Sequence, residues 1–203
     1  SWTIMVEKLF PDQDEYISDS ASPMVETAKY IKNKDPEAKI TFIGPCISKK
    51  LEALRKDVKD YVHFVITFEE LMGMFVAKGI ELSEIEVSKE IQDASTLGRG
   101  YAIAGGVAEA VKKTAQTIDP SKEINVEGAS TLHECVKLMR LAKAGKKNGY
   151  LLEGMACPGG CIAGPGTLAS FNRVRKVVTE FKNQAAFKTP FDNNIIDEKL
   201  RKK

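Results

Sequence analysis

The sequence predicts an α/β fold in which parallel strands are flanked by helices. Three observations carry this expectation. Short apolar runs rich in β-branched residues alternate with amphipathic stretches at helical spacing. The 203 residues are 43% hydrophobic and 29% charged, which suits a packed core and excludes wholesale disorder. No internal repeat or low-complexity stretch interrupts the alternation.

Ser22 before Pro23 predicts the start of a helix running to about Lys32. Lys39 to Gly44 reads as a buried strand, ended by Pro45 and Cys46. An amphipathic stretch covers Ser48 to Val58, and Tyr61 to Thr67 reads as a second apolar strand. Thr67 and Glu70 form a capping-box pair that opens a helix, with Phe68, Leu71, Met72 and Phe75 on one face and Gly79 as its stop. Ser83 to Gly100 reads as a polar loop. Gly105 and Gly106 then precede a helix with Val107, Ala110, Val111 and Thr114 on one side and Pro120 beyond its end. Glu123 to Val126 is a weak strand pattern. Thr131 and Glu134 form a second capping pair, opening a helix that Gly145 ends. Tyr150 to Glu153 is a short strand, and the last helix spans about Asn172 to Gln184. The tail after Pro190 is polar and expected to be loose, apart from a contact through Ile195 and Ile196.

The charge balance excludes several classes of function. Thirty basic and 28 acidic residues leave a net charge of +2, too little to imply nucleic acid or an anionic membrane as a partner. No apolar run reaches the ~18 residues of a membrane span. Ser1 to Lys8 has no basic-then-apolar leader, so the expected location is the cytoplasm. The first residue is not Met, which fits a processed start or a piece of a longer chain. Four cysteines are too few for a disulfide scaffold, and His63 and His133 form no spaced motif with them, so a Cys/His zinc site is not signalled.

The stretch richest in chemistry is Glu153-Gly-Met-Ala-Cys157-Pro-Gly-Gly-Cys161-Ile-Ala-Gly-Pro-Gly166. On a helical turn, residues four apart face the same way, so both sulfurs can reach one object. The glycines remove bulk and are expected to expose backbone N–H groups, which stabilise anionic sulfur. The plainer alternative is a glycine-rich turn with two buried thiols. Cys46 follows a strand end, where α/β proteins place ligand-binding groups, and Lys49 lies one turn on. By itself it reads rather as one buried cysteine followed by a solvated basic face. Cys135 shares a helical stripe with Leu132, Val136 and Met139 and reads as a small core residue. His133 reads as exposed or capping and His63 as structural.

At these residues the chain resembles the iron-only hydrogenases. Met155-Ala-Cys-Pro-Gly-Gly-Cys161 matches the third cysteine signature of their catalytic domain, and Gly44-Pro-Cys-Ile-Ser-Lys-Lys-Leu-Glu52 matches the second. Gly98 to Ala110 and Val126 to Gly149 are similar to the segments between, so the resemblance spans about Trp2 to Gly166 in order. It implies the catalytic-domain fold in part, with residues 1–170 a piece of that domain and 171–203 its C-terminal helix and tail. It also implies an H-cluster, a 4Fe-4S cubane bridged by a cysteine to a two-iron unit carrying CO and cyanide. Cys46, Cys157 and Cys161 match three of the four cubane ligands, and Cys161 the bridging one. Lys49 matches the lysine that binds an iron-bound cyanide, and Met155 a methionine packed on the two-iron unit. The implied chemistry is reversible, two protons and two electrons against H₂. Its implied partners are a ferredoxin or fused ferredoxin-like domains, and hydrogenase maturation proteins.

Departures from the family pattern shape the expectation. The first signature, which holds the fourth cubane ligand and a proton-relay cysteine, is absent. Trp2 to Lys8 is similar to the text that follows it, so the chain is expected to be an excised and inactive part of the domain. Gly44 stands where Met is usual, Met24 where Gln is frequent, and Gly164-Pro-Gly-Thr-Leu168 replaces a Gly-Gly-Gly-Gln-Pro segment. These changes resemble divergent, sensor-like members. Two rival readings follow: a module sensing H₂ or redox state, and a non-catalytic iron–sulfur scaffold.

Overall fold

The β-branched apolar runs become strands, and each pair of strands is joined by a helix. A parallel pair cannot be closed by a tight turn, so the intervening chain must cross over. The computed structural model describes residues 1–86 and 93–192. They divide into two compact units, one of residues 1–11, 86, 93–163 and 169–192, the other of residues 12–85 and 164–168.

In the unit built on residues 12–85, helix α2 (Pro23–Lys34) precedes strand β1 (Thr41–Ile43), helix α3 (Ser48–Ala53), strand β2 (Phe64–Ile66) and helix α4 (Phe68–Ala77). A 3₁₀ turn, Leu82–Glu84, follows. Strands β1 and β2 are parallel, with Phe42 opposite Val65. Met24, Val25 and Ala28 of α2 pack with Ala53, Val58 and Val62 to form the core, against which Ile40, Phe42, Tyr61 and Val65 lie.

The expected strands are present but shorter. Strand β1 is not the buried strand expected: Thr41 and Ile43 on its outer face are exposed, and only Phe42 turns to the core. Ser22 occupies the N-cap position of α2, yet its side chain makes no cap hydrogen bond. Its hydroxyl instead donates to Glu52 Oε1 at 2.5 Å, a charged acceptor that outcompetes the helix N–H groups. The amphipathic stretch from Ser48 is helical only to Ala53 and continues in turns to Val58. At α4 both halves of the capping box form, and Leu71, Met72 and Phe75 are half-buried as the face predicts, while Phe68 of the same expected face is exposed. Lys50 and Thr67 N–H both bind the Glu70 carboxylate, and together they hold it below its ordinary range.

The other unit contains helix α1 (Trp2–Leu9), helix α5 (Thr96–Gly100), helix α6 (Gly106–Ile118), strand β3 (Asn125–Ala129), helix α7 (Leu132–Lys143), strand β4 (Tyr150–Gly154) and helix α8 (Phe171–Asn183). Strands β3 and β4 are parallel, with Gly128 opposite Glu153. Val6 of α1 and Cys135 of α7 are fully enclosed, with Leu138, Met139, Ala108 and Ala110 buried as well. Gly154 has no side chain because the Trp2 indole lies on it: a Cβ there would fall 1.9 Å from Trp2 Cε3.

The expected polar loop from Ser83 to Gly100 is partly helical. Ser95 caps α5 by accepting the Gly98 N–H at 3.1 Å, and Leu97 and Arg99 are buried. Part of that loop, residues 87–92, lies outside the described residues, as do Ile195 and Ile196. On α6 the inward face is Gly106, Ala108 and Ala110, while Val111 is 40% exposed. Small residues win there because the helix start lies against Gly100, whose carbonyl would stand 2.0 Å from a Cβ on Gly106. At α7, Thr131 accepts the Glu134 N–H, but Glu134 reaches back to Ser130 N–H rather than to its own cap residue. His133 is exposed, and His63 Nδ1 accepts the Ile40 N–H at 3.0 Å, the structural role expected.

Thr67 is 5% exposed and carries the cap of α4. Thr67→Ala is expected to cost about 1 kcal/mol, read as a lower urea midpoint with an unchanged slope.

Candidate metal centre

All four cysteines are thiols, and three of them are half-buried while Cys135 is enclosed. Cys157 and Cys161 belong to the same unit as β4, and they lie on the loop that leaves that strand. Pro158 follows the first cysteine, and Gly159 and Gly160 take φ values of 83° and 102°. Those values end any helix, so the pair does not sit on the helical turn that spacing suggested. Cys161 instead opens a 3₁₀ turn, Cys161–Ala163.

The turn is closed from within. Gly160 N–H donates to Cys157 O at 3.0 Å, and Ala163 N–H to Gly160 O at 3.1 Å. At Gly160, therefore, the N–H expected to face a cluster is used to hold the two cysteines in one loop. A floor supports the loop from beneath. Ala104 N–H donates to Gly159 O at 3.0 Å, and Ile162 N–H donates to Ala102 O at 3.1 Å. The ring of Phe171, the first residue of α8, covers Gly159, where a Cβ would lie 2.3 Å from it. The glycines are needed for close approach as well as for φ.

Met155 stands between β4 and this loop. Its N–H donates to Ala129 O at 2.8 Å, and its carbonyl accepts the Cys135 thiol at 3.5 Å. Cys135 is thus a core residue that ties α7 to the strand ends. Burial pushes its thiol pKa up, with the neighbouring Glu134 charge adding to the shift.

Cys46 and Lys49 belong to the other unit. Cys46 follows β1 in the Gly44–Ile47 bend, with Lys49 in the first turn of α3. Lys49 Nζ donates to Glu52 Oε2 at 2.5 Å, and Ser22 occupies the other oxygen of that carboxylate. Gly166 N–H donates to Pro45 O at 2.9 Å, so the segment 164–168 is fastened beside Cys46 within this unit. A Cβ at Gly166 would lie 2.6 Å from Thr67 Cβ. A Cβ at Gly44 would lie 2.8 Å from Phe42 Cε1, so the ring in its present place and a side chain at 44 exclude one another.

Among the described residues, neither unit gathers three or more Cys, His, Asp or Glu side chains as ligands of one metal ion. A cubane makes a different demand, since it spreads its thiolates over separate irons. The donor set is soft sulfur on loops shaped by glycine and proline, which suits an iron–sulfur cluster better than a hard cation. Cys135 is enclosed, and its thiol is already engaged with backbone carbonyls, so it stands apart from that donor set.

The sequence profile described as "Iron only hydrogenase large subunit, C-terminal domain" matches residues 1–165. The chain belongs to this family. It is 28% identical to the periplasmic iron hydrogenase large subunit of Nitratidesulfovibrio vulgaris, over 85% of this chain and 52% of that one. It is also 25% identical to a cytosolic iron–sulfur cluster assembly factor of Kluyveromyces lactis, over 92% of this chain and 39% of that one. Its fold is that of a FeFe-hydrogenase variant from Chlamydomonas reinhardtii, with a TM-score of 0.72 at 23% identity, over 97% of this chain and 68% of that one. The chain therefore spans about half the length of the hydrogenase subunit it matches. No helix among the described residues is long and apolar enough to cross a membrane.

Sequence reasoning missed Glu153, which is 7% exposed on β4. Its carboxylate accepts the N–H groups of Gly105 and Ala108, each at 2.6 Å. Its partners lie 45 and more residues away, where no local pattern can reveal them.

Two substitutions test this geometry. Gly160→Ala places a Cβ 2.5 Å from Ala104 N in a left-handed backbone. It is expected to cost about 2 kcal/mol or more by urea denaturation. Cys135→Ala should cost only about 1 kcal/mol. Because the Cys135 pKa is raised in the folded state, its contribution is intact at neutral pH and declines as pH rises past the ~8.5 of an unfolded thiol. Denaturation measured from pH 7 to 10 should show a shallower alkaline decline in Cys135→Ala than in the parent.

Proposed function

We propose that this chain is part of the catalytic domain of an iron-only hydrogenase, with Cys46, Cys157 and Cys161 as three thiolate ligands of its cubane. In this reading Cys161 would also help to hold the two-iron unit. When bound, that cofactor supplies the redox chemistry that interconverts H₂ with two protons and two electrons. The observation that carries the reading is the pairing of two cysteine loops, each at a strand end, with a family match covering both.

The residues divide the work by chemistry. The thiolates would hold iron, and Pro158, Gly159 and Gly160 would hold the thiolates in place. The Lys49 ammonium, oriented by Glu52, would offer N–H donors to an iron-bound cyanide. Met155 would supply an apolar wall. Electrons would come from a ferredoxin or fused ferredoxin-like clusters, maturation proteins would install the two-iron unit, and the setting would be the cytoplasm.

A second reading is a non-catalytic iron–sulfur scaffold, favoured by the similarity to the cluster assembly factor. Iron and sulfide reconstitution tests the shared part of both readings. In the presence of a small thiol as fourth ligand, the chain is expected to take up about four irons with a 4Fe-4S spectrum. Cys46→Ser, Cys157→Ser and Cys161→Ser should each lower that content, and Cys135→Ala should not. Unchanged iron in Cys46→Ser would remove that residue from the ligand set. Lys49→Ala separates the two readings: it should leave cubane content intact in either, but it should abolish H₂ turnover only if a hydrogenase chain containing this domain uses Lys49.

A further inference from the structure

We propose that Glu153 is a positioning residue for the Cys157–Cys161 turn, an inference that rests on the cubane reading above. The N-cap of helix α6 is Gly105, which has φ 86° and no side chain with which to cap it. An uncapped helix start leaves N–H groups without acceptors, which is costly where the helix is buried. A capping box satisfies the N-cap and third-residue N–H groups with two local side chains. Here a single carboxylate from another element takes both, since Gly105 is the cap residue and Ala108 the third. An acidic group also suits the positive end of the helix dipole.

The consequence reaches the cysteines by a short route. The residues just before Gly105 are the floor of the cysteine turn: Ala104 N–H holds Gly159 O, and Ala102 O holds Ile162 N–H. Gly160 is pressed so closely on this floor that a Cβ would sit 2.5 Å from Ala104 N and 2.6 Å from Ala102 O. Glu153 itself lies on β4, the strand from which the turn departs. It therefore fastens the floor to the strand and closes a ring through Gly105, Ala104, Gly159 and Cys157. A shift of the floor relative to β4 strains these two 2.6 Å bonds. The enclosed carboxylate thus fixes where the two sulfurs stand before any cluster arrives.

The test is the alkylation rate of each cysteine in the full chain without metal, using iodoacetamide and peptide mass spectrometry. Glu153→Gln keeps the shape but offers one oxygen, and it points an NH₂ group at the second N–H. It is expected to speed labelling of Cys157 and Cys161 about tenfold or more and to leave Cys46 unchanged. Glu153→Asp keeps the acidic group on a shorter arm and should fall between. Circular dichroism reports whether the Gln variant is folded; if it is not, the Asp variant carries the same comparison. Equal acceleration of Cys46, Cys135, Cys157 and Cys161 would mean general loosening and would overturn the proposal. So would unchanged rates at Cys157 and Cys161. Iron uptake by the parent chain is read separately: its failure would sink the cubane reading, while the labelling rates still decide whether Glu153 sets the turn.

Discussion

Parallel pairing is the constraint on which the rest of this structure depends. Two parallel strands present their carboxyl ends on the same side, and a crossover must return the chain to the starting side. In one unit α3 and the turns after it return the chain from β1 to β2, and in the other α7 returns it from β3 to β4. Each candidate ligand loop consequently leaves the carboxyl end of a strand, Cys46 after β1 and Cys157 after β4. That is where open α/β sheets bind ligands, because the loops there are released from the ladder and free to take side-chain roles. The crossover helix also supplies the residues behind each loop. Lys49 and Glu52 come from α3, and Cys135, which takes the Met155 carbonyl, comes from α7.

Glycine then does two separate jobs. At Gly159 and Gly160 it permits positive φ and removes a side chain that would strike Phe171 or the Ala102–Ala104 floor. At Gly154 and Gly106 the reason is contact with Trp2 and with the Gly100 carbonyl. In the first case a larger residue must strain the backbone as well as displace a neighbour. In the second the neighbour alone must move. The cysteine turn is thus the more tightly specified.

Much of the architecture was legible in the sequence because its signals are local. Thr67 and Glu70 announce a capping box three residues apart, and the structure forms both halves. Cys135 was legible as core from its helical period. What escaped was set by partners distant in sequence. Ser22 is a good cap by type, but Glu52 of α3 captures its hydroxyl. Helix α5 has five residues, too few to show a period, and it is stabilised by Arg99, which donates to Phe181 O at 2.8 Å and stacks on the Phe181 ring. The cysteine motif was legible as chemistry but not as shape, because spacing alone does not reveal that Gly159 and Gly160 turn left-handed. Glu153 left no trace, since a strand residue's carboxylate can cap any helix start that folding brings to it.

The Lys49–Glu52–Ser22 arrangement bears on which of the two readings the chain favours. An i,i+3 pair at a helix surface contributes only about 0.2–0.5 kcal/mol, and it needs no third partner. Here the pair is only 21% and 26% exposed, and Ser22 from before α2 fixes the second carboxylate oxygen. The carboxylate is thereby held from two sides, and the ammonium is held in turn. An ammonium has three N–H donors, and Glu52 takes one, so the group keeps the capacity to bind an anion without leaving its partner. A scaffold that carries only a cubane has no use for such a donor beyond Cys46. A site that must bind an iron-bound cyanide needs a cation whose position is settled in advance, because reorganising it on binding would cost the affinity it supplies. A lysine held in this way is what the proposed hydrogenase role asks of Lys49.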